Sequence, residues 1–405
     1  MRGTARYVAL LLLPVLAAFV SVAAAAQGEA PAEPPAASAT TLGVSSSAVV
    51  FGQSCALSGP AKALGEGMRL GITAAFEEAN RAGGIHGRQL RLETLDDRYE
   101  PEAAIANTDQ LVGEEQVFAL IGAVGTPTSK AAEPIATEAG VPYVGAFTGA
   151  EFLRDARRRP TVINVRASYY QETEEMVERL TRDLGVKRIG ILYQDDSYGR
   201  AGLAGTLQAL HRRGMTLAAE ATYPRNTRAV KTAVLDLREG RPEAVIIVGA
   251  YEPVAEFIKW SRYLDFNPVF VNISFVGSSA LARALGPSGK DVIVTQVVPF
   301  PHDRWIPVVG QYHEALRAVA ASAEPGFVSL EGYLTGRVAV EALRRAGANL
   351  TRKGFIRALQ KAGTMDLGGF MLLYGESDNQ GSDRVYLTVI DGSERFRSIR
   401  RLERP

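Results

Sequence analysis

From Val49 onward the chain alternates between two hydrophobic rhythms. AVVFGQS is a short, nearly continuous apolar run of the buried-strand type. After the turn SGP, Met68, Ile72, Ala75, Phe76 and Ala79 recur at helical spacing on one face. That segment ends in NRAGGIHGR, where Gly83 and Gly84 suit a left-handed cap and turn. QLRLETLDD alternates and predicts a strand. PEAAIANTDQLVGEE predicts a helix with Pro101 in its first turn. VFALIG, TSKAAEPIATEAG with Pro134 inside it, and VPYVGAF continue as strand, helix, strand. The pattern then restarts at TVINVRA. ETEEMVERLTRDLG, GLAGTLQALHRRG, RAVKTAVLDLREG and PVAEFIKWSRYL read as helices between the strands RIGILYQDD, MTLAAEATY, EAVIIVGAY, PVFVNIS and DVIVTQVV. After Pro299 the order changes to three consecutive helices across 303–322 and 327–363. Strand-like FMLLY, VYLTVI and RFRSI follow. Two successive α/β halves, each with a parallel sheet flanked by helices, are the expectation. No repeat of fixed period suggests a solenoid.

The 405 residues are 46% apolar and 22% charged, with a formal net charge of +1. That is the composition of a globular chain long enough for two large cores. The near balance of charge argues against a broadly basic nucleic-acid-binding surface. One cysteine excludes an internal disulfide and a cysteine-based metal cluster. The four histidines show no zinc-ligand spacing.

The N-terminus carries Arg2 and Arg6, an apolar stretch from Val8 to Val20, and small residues at Ala23 to Ala26. This order predicts a signal peptide over residues 1–26, cleaved before Gln27, and a periplasmic protein. The lone Cys55 is not at the cleavage site, so no lipid anchor is expected there. Residues 27–48, rich in Ala, Pro and Ser, predict a flexible tail.

In open parallel sheets, ligands bind beyond the carboxyl ends of the strands. The turns there are GQSCALSGPAKALGEG, LDDRYEP, GAVGTPTS and VGAFTGAE in the first half. In the second half they are VRASYYQE, YQDDSYG, VGAYEP and VNISFVGSS. They are rich in Gly, Ser, Thr and Tyr, which suits close backbone approach and hydroxyl contacts. Any one of them is equally well an ordinary turn or cap; together they point to a small-molecule site. The P-loop, G-x-G-x-x-G and G-x-S-x-G patterns are missing. Asp96–Asp97 and Asp195–Asp196 suit either a metal or acid–base site or helix caps and turns. Cys55 has no nearby histidine and reads as a small semi-buried side chain. Trp260 reads as core, and Trp305 as core or contact.

LSGPAKALGEGMRLGITAAFEEANRAGGIHGRQLRL, LDDRYEP, FALIGAVGTPTS, VRASYYQE, YQDDSYG and VVPFP carry a resemblance. Over residues 49–399 the chain resembles periplasmic solute-binding proteins of the leucine/isoleucine/valine-binding family, receptors of branched-chain amino-acid ABC importers. The resemblance implies two Rossmann-like lobes joined by a three-crossover hinge near residues 166, 298 and 372. Lobe 1 would be 49–166 plus 299–372, and lobe 2 would be 167–298 plus 373–405. It implies a monomer that closes on a small ligand and then meets membrane permease subunits. No covalent chemistry, cofactor, metal or nucleic acid is implied.

The same resemblance suggests site residues. Thr126, with Phe147 and Gly149, matches the positions that hold a ligand carboxylate. Gly149 lacks the family's hydroxyl, and Thr148 is the neighbour that would supply one. Leu64 matches a residue packed on the ligand side chain, and Tyr251 one over the ammonium. Ser274 stands where the family has the ammonium's acidic partner. Asp196, ahead of Asp97 and Glu252, is the substitute acid. Ser54, Tyr169 and Tyr198 lie in the same turns and complete the set. The expected ligand is an amino acid of branched-chain type or a similar small carboxylate. An amide or aromatic acid, or a ligand-sensing role in signalling, is the alternative.

Overall fold

A computed structural model describes residues 41–403. The predicted signal peptide, and the tail up to residue 40, lie outside them. Five strands form the first sheet: β1 (Ala48–Cys55), β2 (Gln89–Asp96), β3 (Ala119–Ile121), β4 (Tyr143–Val144) and β5 (Val162–Ile163). Their spatial order is β2-β1-β3-β4-β5, parallel throughout. Helices α1 (Lys62–Arg81), α2 (Pro101–Asp109) and α3 (Thr126–Glu138) follow β1, β2 and β3.

The chain then crosses into a second sheet through α4 (Tyr169–Leu184). Its strands are β6 (Ile189–Gln194), β7 (Ala219–Tyr223), β8 (Ala244–Val248), β9 (Val269–Asn272) and β10 (Ile293–Gln296). Between them run α5 (Ser197–His211), α6 (Lys231–Gly240), α7 (Tyr251–Tyr263) and α8 (Ser278–Leu285). Every residue of β6 and of β8 is buried, as the unbroken apolar runs require. α4 begins with a capping box between Ser168 and Gln171 and ends at Gly185 in the left-handed region.

After β10 the helices α9 (Pro307–Val319), α10 (Phe327–Ala346) and α11 (Arg352–Gln360) return to the first lobe, where α10 packs on α1. Strands β11 (Gly363–Asp366), β12 (Met371–Gly375) and β13 (Asp378–Gly381) form a separate antiparallel sheet. It is tied to lobe 1 by the Asn164 N–H, which donates to the Asn379 carbonyl at 2.7 Å. Finally β14 (Tyr386–Ile390) and β15 (Phe396–Ile399) join the second sheet antiparallel, in the order β15-β14-β10-β9-β8-β6-β7.

The three passages between the large sheets therefore run at 164–168, 297–306 and 382–385. The expected passage near 372 lies instead inside β12. FMLLY is a strand, but its partners are β11 and β13 rather than the second sheet. Among the described residues no helix is long and apolar enough to cross a membrane.

The five parallel strands of each sheet share one topology. Strand order reverses between β1 and β3 in lobe 1, and between β6 and β8 in lobe 2. Adjacent connections leave toward opposite faces at such a point, which opens a crevice at the strands' carboxyl ends.

Candidate functional site

The carboxyl-end turns of both lobes meet across one cleft. Thr126 opens α3 directly after Gly125, whose φ is 106°. A side chain at Gly125 would place its Cβ 2.2 Å from the Tyr99 ring, so glycine is required. The Thr126 and Thr148 hydroxyls lie 2.6 Å apart, and Thr148 Oγ1 lies 3.3 Å from the Tyr169 hydroxyl. Thr148 thus stands beside Thr126. Gly149 accepts from the Tyr169 N–H at 2.7 Å, and a Cβ there would strike the Tyr169 ring.

Aromatic rings fill the junction. Phe275, from the short turn after β9, stacks on Tyr198 at 4.5 Å, on Phe147 at 5.2 Å and on Tyr99 at 6.0 Å. Tyr169 and Tyr198 are 5.5 Å apart. Two of these rings come from lobe 1, Tyr198 and Phe275 from lobe 2, and Tyr169 from the start of α4, just after the first passage. Leu64 meets Gly277, the residue that caps the start of α8. Tyr251 lies beside the same glycine and faces the Ala63 backbone. A cavity of about 180 Å³ opens there, lined by Leu64, Leu70, Gly277, Ala280, Val328 and Ser329 among others.

The charged groups have specific partners. Arg166 is 1% exposed. Its Nη2 donates to Glu172 Oε1 at 3.1 Å and to the Ser274 hydroxyl, while Nη1 lies 3.4 Å from Glu331 Oε1. Glu172 also accepts from the Ser274 N–H at 2.9 Å and from the Thr295 hydroxyl at 2.5 Å. Burial opposes the charge of Arg166, but Glu331 and Glu172 outweigh it and raise the guanidinium pKa. Burial pushes Glu331 up to about 7, with Glu172 adding to the rise and Arg166 and Arg154 opposing it. Ser274 therefore sits in an arginine–carboxylate cluster rather than beside a free acid.

The three substitute acids are engaged elsewhere. Asp97 accepts from Ser54 Oγ and the Tyr99 N–H, each at 2.9 Å, and burial raises its pKa to about 6. Asp196 caps α5 through the Tyr198 and Gly199 N–H groups and accepts from Gln194 Nε2. Burial raises its pKa despite those bonds. Glu252 pairs with Arg228 at 2.7 Å. Asp96 holds the turn that follows β1 through the Leu57 and Ser58 N–H groups, and Asp195 pairs with Arg200. Among the described residues no three metal-binding side chains cluster. Cys55 is buried, which pushes its thiol pKa up and away from nucleophilic use. Trp260 is half-buried under Lys231, and Trp305 is exposed.

At the mouth of the cleft, Arg225 of lobe 2 reaches Glu100 of lobe 1 at 2.6 Å, and Asn226 Nδ2 donates to the same carboxylate at 2.7 Å. Deeper in, Gln194 donates to the Tyr99 hydroxyl at 3.2 Å. Sequence reasoning did not single out Tyr99, Arg166, Glu172, Gln194, Phe275 or Glu331. Tyr99, Arg166, Glu172, Gln194 and Phe275 lie within the quoted turns LDDRYEP, VRASYYQE, YQDDSYG and VNISFVGSS, so the position in a carboxyl-end turn was the available signal for all but Glu331.

A groove of about 740 Å³ lies elsewhere. It runs past Glu243, Val269 and Ile293 at the amino ends of β8, β9 and β10, and none of the site residues lines it. The rule for parallel sheets favours the carboxyl-end cleft despite the groove's size.

Comparison with known proteins agrees with the two-sheet α/β fold. A family model described as "Periplasmic binding protein" matches residues 48–395. A solved structure of a possible leucine/isoleucine/valine-binding protein from Rhodopirellula baltica SH 1 is 40% identical. It covers 89% of this chain and 98% of its own, with a TM-score of 0.84. A substrate-binding periplasmic protein from Ralstonia solanacearum is 30% identical over 87% of this chain and all of its own, with a TM-score of 0.81. The Leu/Ile/Val-binding protein homolog 7 of Brucella abortus (strain 2308) is 25% identical over 355 residues, 84% of each chain. With the family model spanning both lobes, the chain belongs to the periplasmic binding protein family.

Proposed function

We propose that the protein is the extracytoplasmic substrate-binding component of an ABC importer, a monomer that captures a small carboxylate between its lobes. The observation that carries this reading is the convergence of Thr126, Thr148, Phe147, Tyr169, Tyr198 and Phe275, from turns at the carboxyl ends of both sheets and from the start of α4. Hydroxyls and the N–H groups of α3 suit a carboxylate. The rings suit an apolar body, as in leucine, isoleucine or valine or an aromatic acid. Lobe closure excludes water, which strengthens each polar contact. The closed face would then meet permease subunits in the membrane, and the leader at 1–26 would deliver the chain to the periplasm.

A thermal-shift screen against amino acids, amides and small acids tests this, because a ligand of the folded state raises the melting temperature by mass action. The expected result is a rise with one or more carboxylates that Thr126→Val weakens. Stabilisation by neutral compounds alone would overturn the carboxylate reading. Recovery of the full-length chain from the cytoplasm with Met1 retained would overturn export.

A further inference from the structure

We propose that Arg166 selects the ligand: it receives the carboxylate of an acid that carries no α-ammonium group and whose apolar body packs among Phe147, Tyr169, Tyr198 and Phe275. This rests on the reading that a small carboxylate binds in the cleft.

Arg166 lies two residues before the α4 cap, in the first passage between lobes, so it faces both walls. Its guanidinium carbon is 5.0 Å from the Phe147 ring centroid and 5.8 Å from that of Tyr169. Nη1 and Nη2 have partners, but Nε is buried with none. A guanidinium N–H held away from water without an acceptor is costly, and buried donors are rarely left so. The unused donor, on a guanidinium that lies over the ring of Tyr169, points to an acceptor brought in by the ligand.

The same cluster opposes an ammonium. Glu172 already holds four donors: Arg166 Nη2, the Ser274 N–H and hydroxyl, and the Thr295 hydroxyl. Asp97, Asp196 and Glu252 are engaged by Ser54 and Tyr99, by the start of α5, and by Arg228. Glu331 remains, and it lies against Arg166, so an ammonium drawn to it would meet a like charge at that contact. Discrimination by such a repulsive group is an established route to specificity.

The test uses calorimetry on the complete exported chain near neutral pH. The probes are leucine, phenylalanine, their deaminated counterparts isocaproate and hydrocinnamate, and the amide hydrocinnamamide. One of the two deaminated acids should bind roughly ten- to a hundredfold tighter than its amino acid and than the amide, the range for one hydrogen bond to a charged group. Arg166→Lys keeps the charge, loses Nε, and should shrink the acid-over-amide ratio toward one. Leucine or phenylalanine binding as tightly as its deaminated acid would overturn the inference while leaving the cleft reading intact. An amide equal to the acid, or an unchanged ratio in a folded Arg166→Lys, would also overturn it. If no acid or amino acid in the panel binds, both readings fail. Where Arg166→Lys does not fold, the wild-type ratios decide alone.

Discussion

At the mouth of the cleft Arg225 meets Glu100 with side chains 24% and 41% exposed; at its centre Arg166 meets Glu172 and Glu331 almost sealed from water. Both are arginine–carboxylate contacts that join parts of the two lobes. Water separates their roles. At the mouth, solvent screens the charges, so making or breaking the contact shifts energy little. That suits a surface that must part and re-form. At the centre, each charge depends on its partners, because an unpaired ion there has no solvent to turn to. That suits a group held in place to discriminate between ligands. The centre therefore sets what binds, and the mouth sets how readily the lobes separate.

Removing the central cation should have the largest effect. Arg166→Met leaves Glu172 and Glu331 facing each other in a buried site and should destabilise the fold by about 3–5 kcal/mol in denaturant titration. A loss no larger than that of a surface pair would erase the contrast between centre and mouth. Next is the hydroxyl wall. Thr126→Val should keep the melting temperature but weaken the carboxylate ligand by roughly 1.5–3 kcal/mol in calorimetry.

The centre should also respond to pH. Burial raises Glu331 from its ordinary 4.5 to about 7 and Asp97 from 3.8 to about 6. The folded chain favours the neutral form of each. Their stabilising contribution is thus fully present below the ordinary carboxylate range and is lost as pH rises through about 6 to 7. Melting temperature measured across that window should fall with pH, and Glu331→Gln should flatten the slope. The smallest effect belongs to the mouth. Arg225→Gln should cost about 0.2–1 kcal/mol, and the difference should vanish at high salt.

Much of this architecture was legible in the chain. Runs such as EAVIIVGAY became fully buried strands, and GAVGTPTS and VNISFVGSS became turns at one cleft. Local periodicity carries that information because a strand or helix is specified by its own residues. The three-stranded sheet was less legible. GTMD and DNQG hold little apolar signal, and FMLLY does not reveal its partner. The state of Arg166 was not legible at all. Its partners lie 6, 108 and 165 residues away, and only the fold assembles them. Asp196 read from the sequence either as a helix cap or as an acid for the ligand, and its hydrogen bonds to the start of α5 make it the cap.

The most direct test of the cleft is a crystal structure with the tightest-binding compound of the acid, amino-acid and amide panel. The predicted result is the ligand between the lobes, its carboxylate within about 3 Å of Arg166 Nε or the Thr126 hydroxyl, and its apolar part against Phe147 and Phe275. A ligand lodged in the groove at the amino ends of β8 to β10, with the central rings unchanged, would contradict the account.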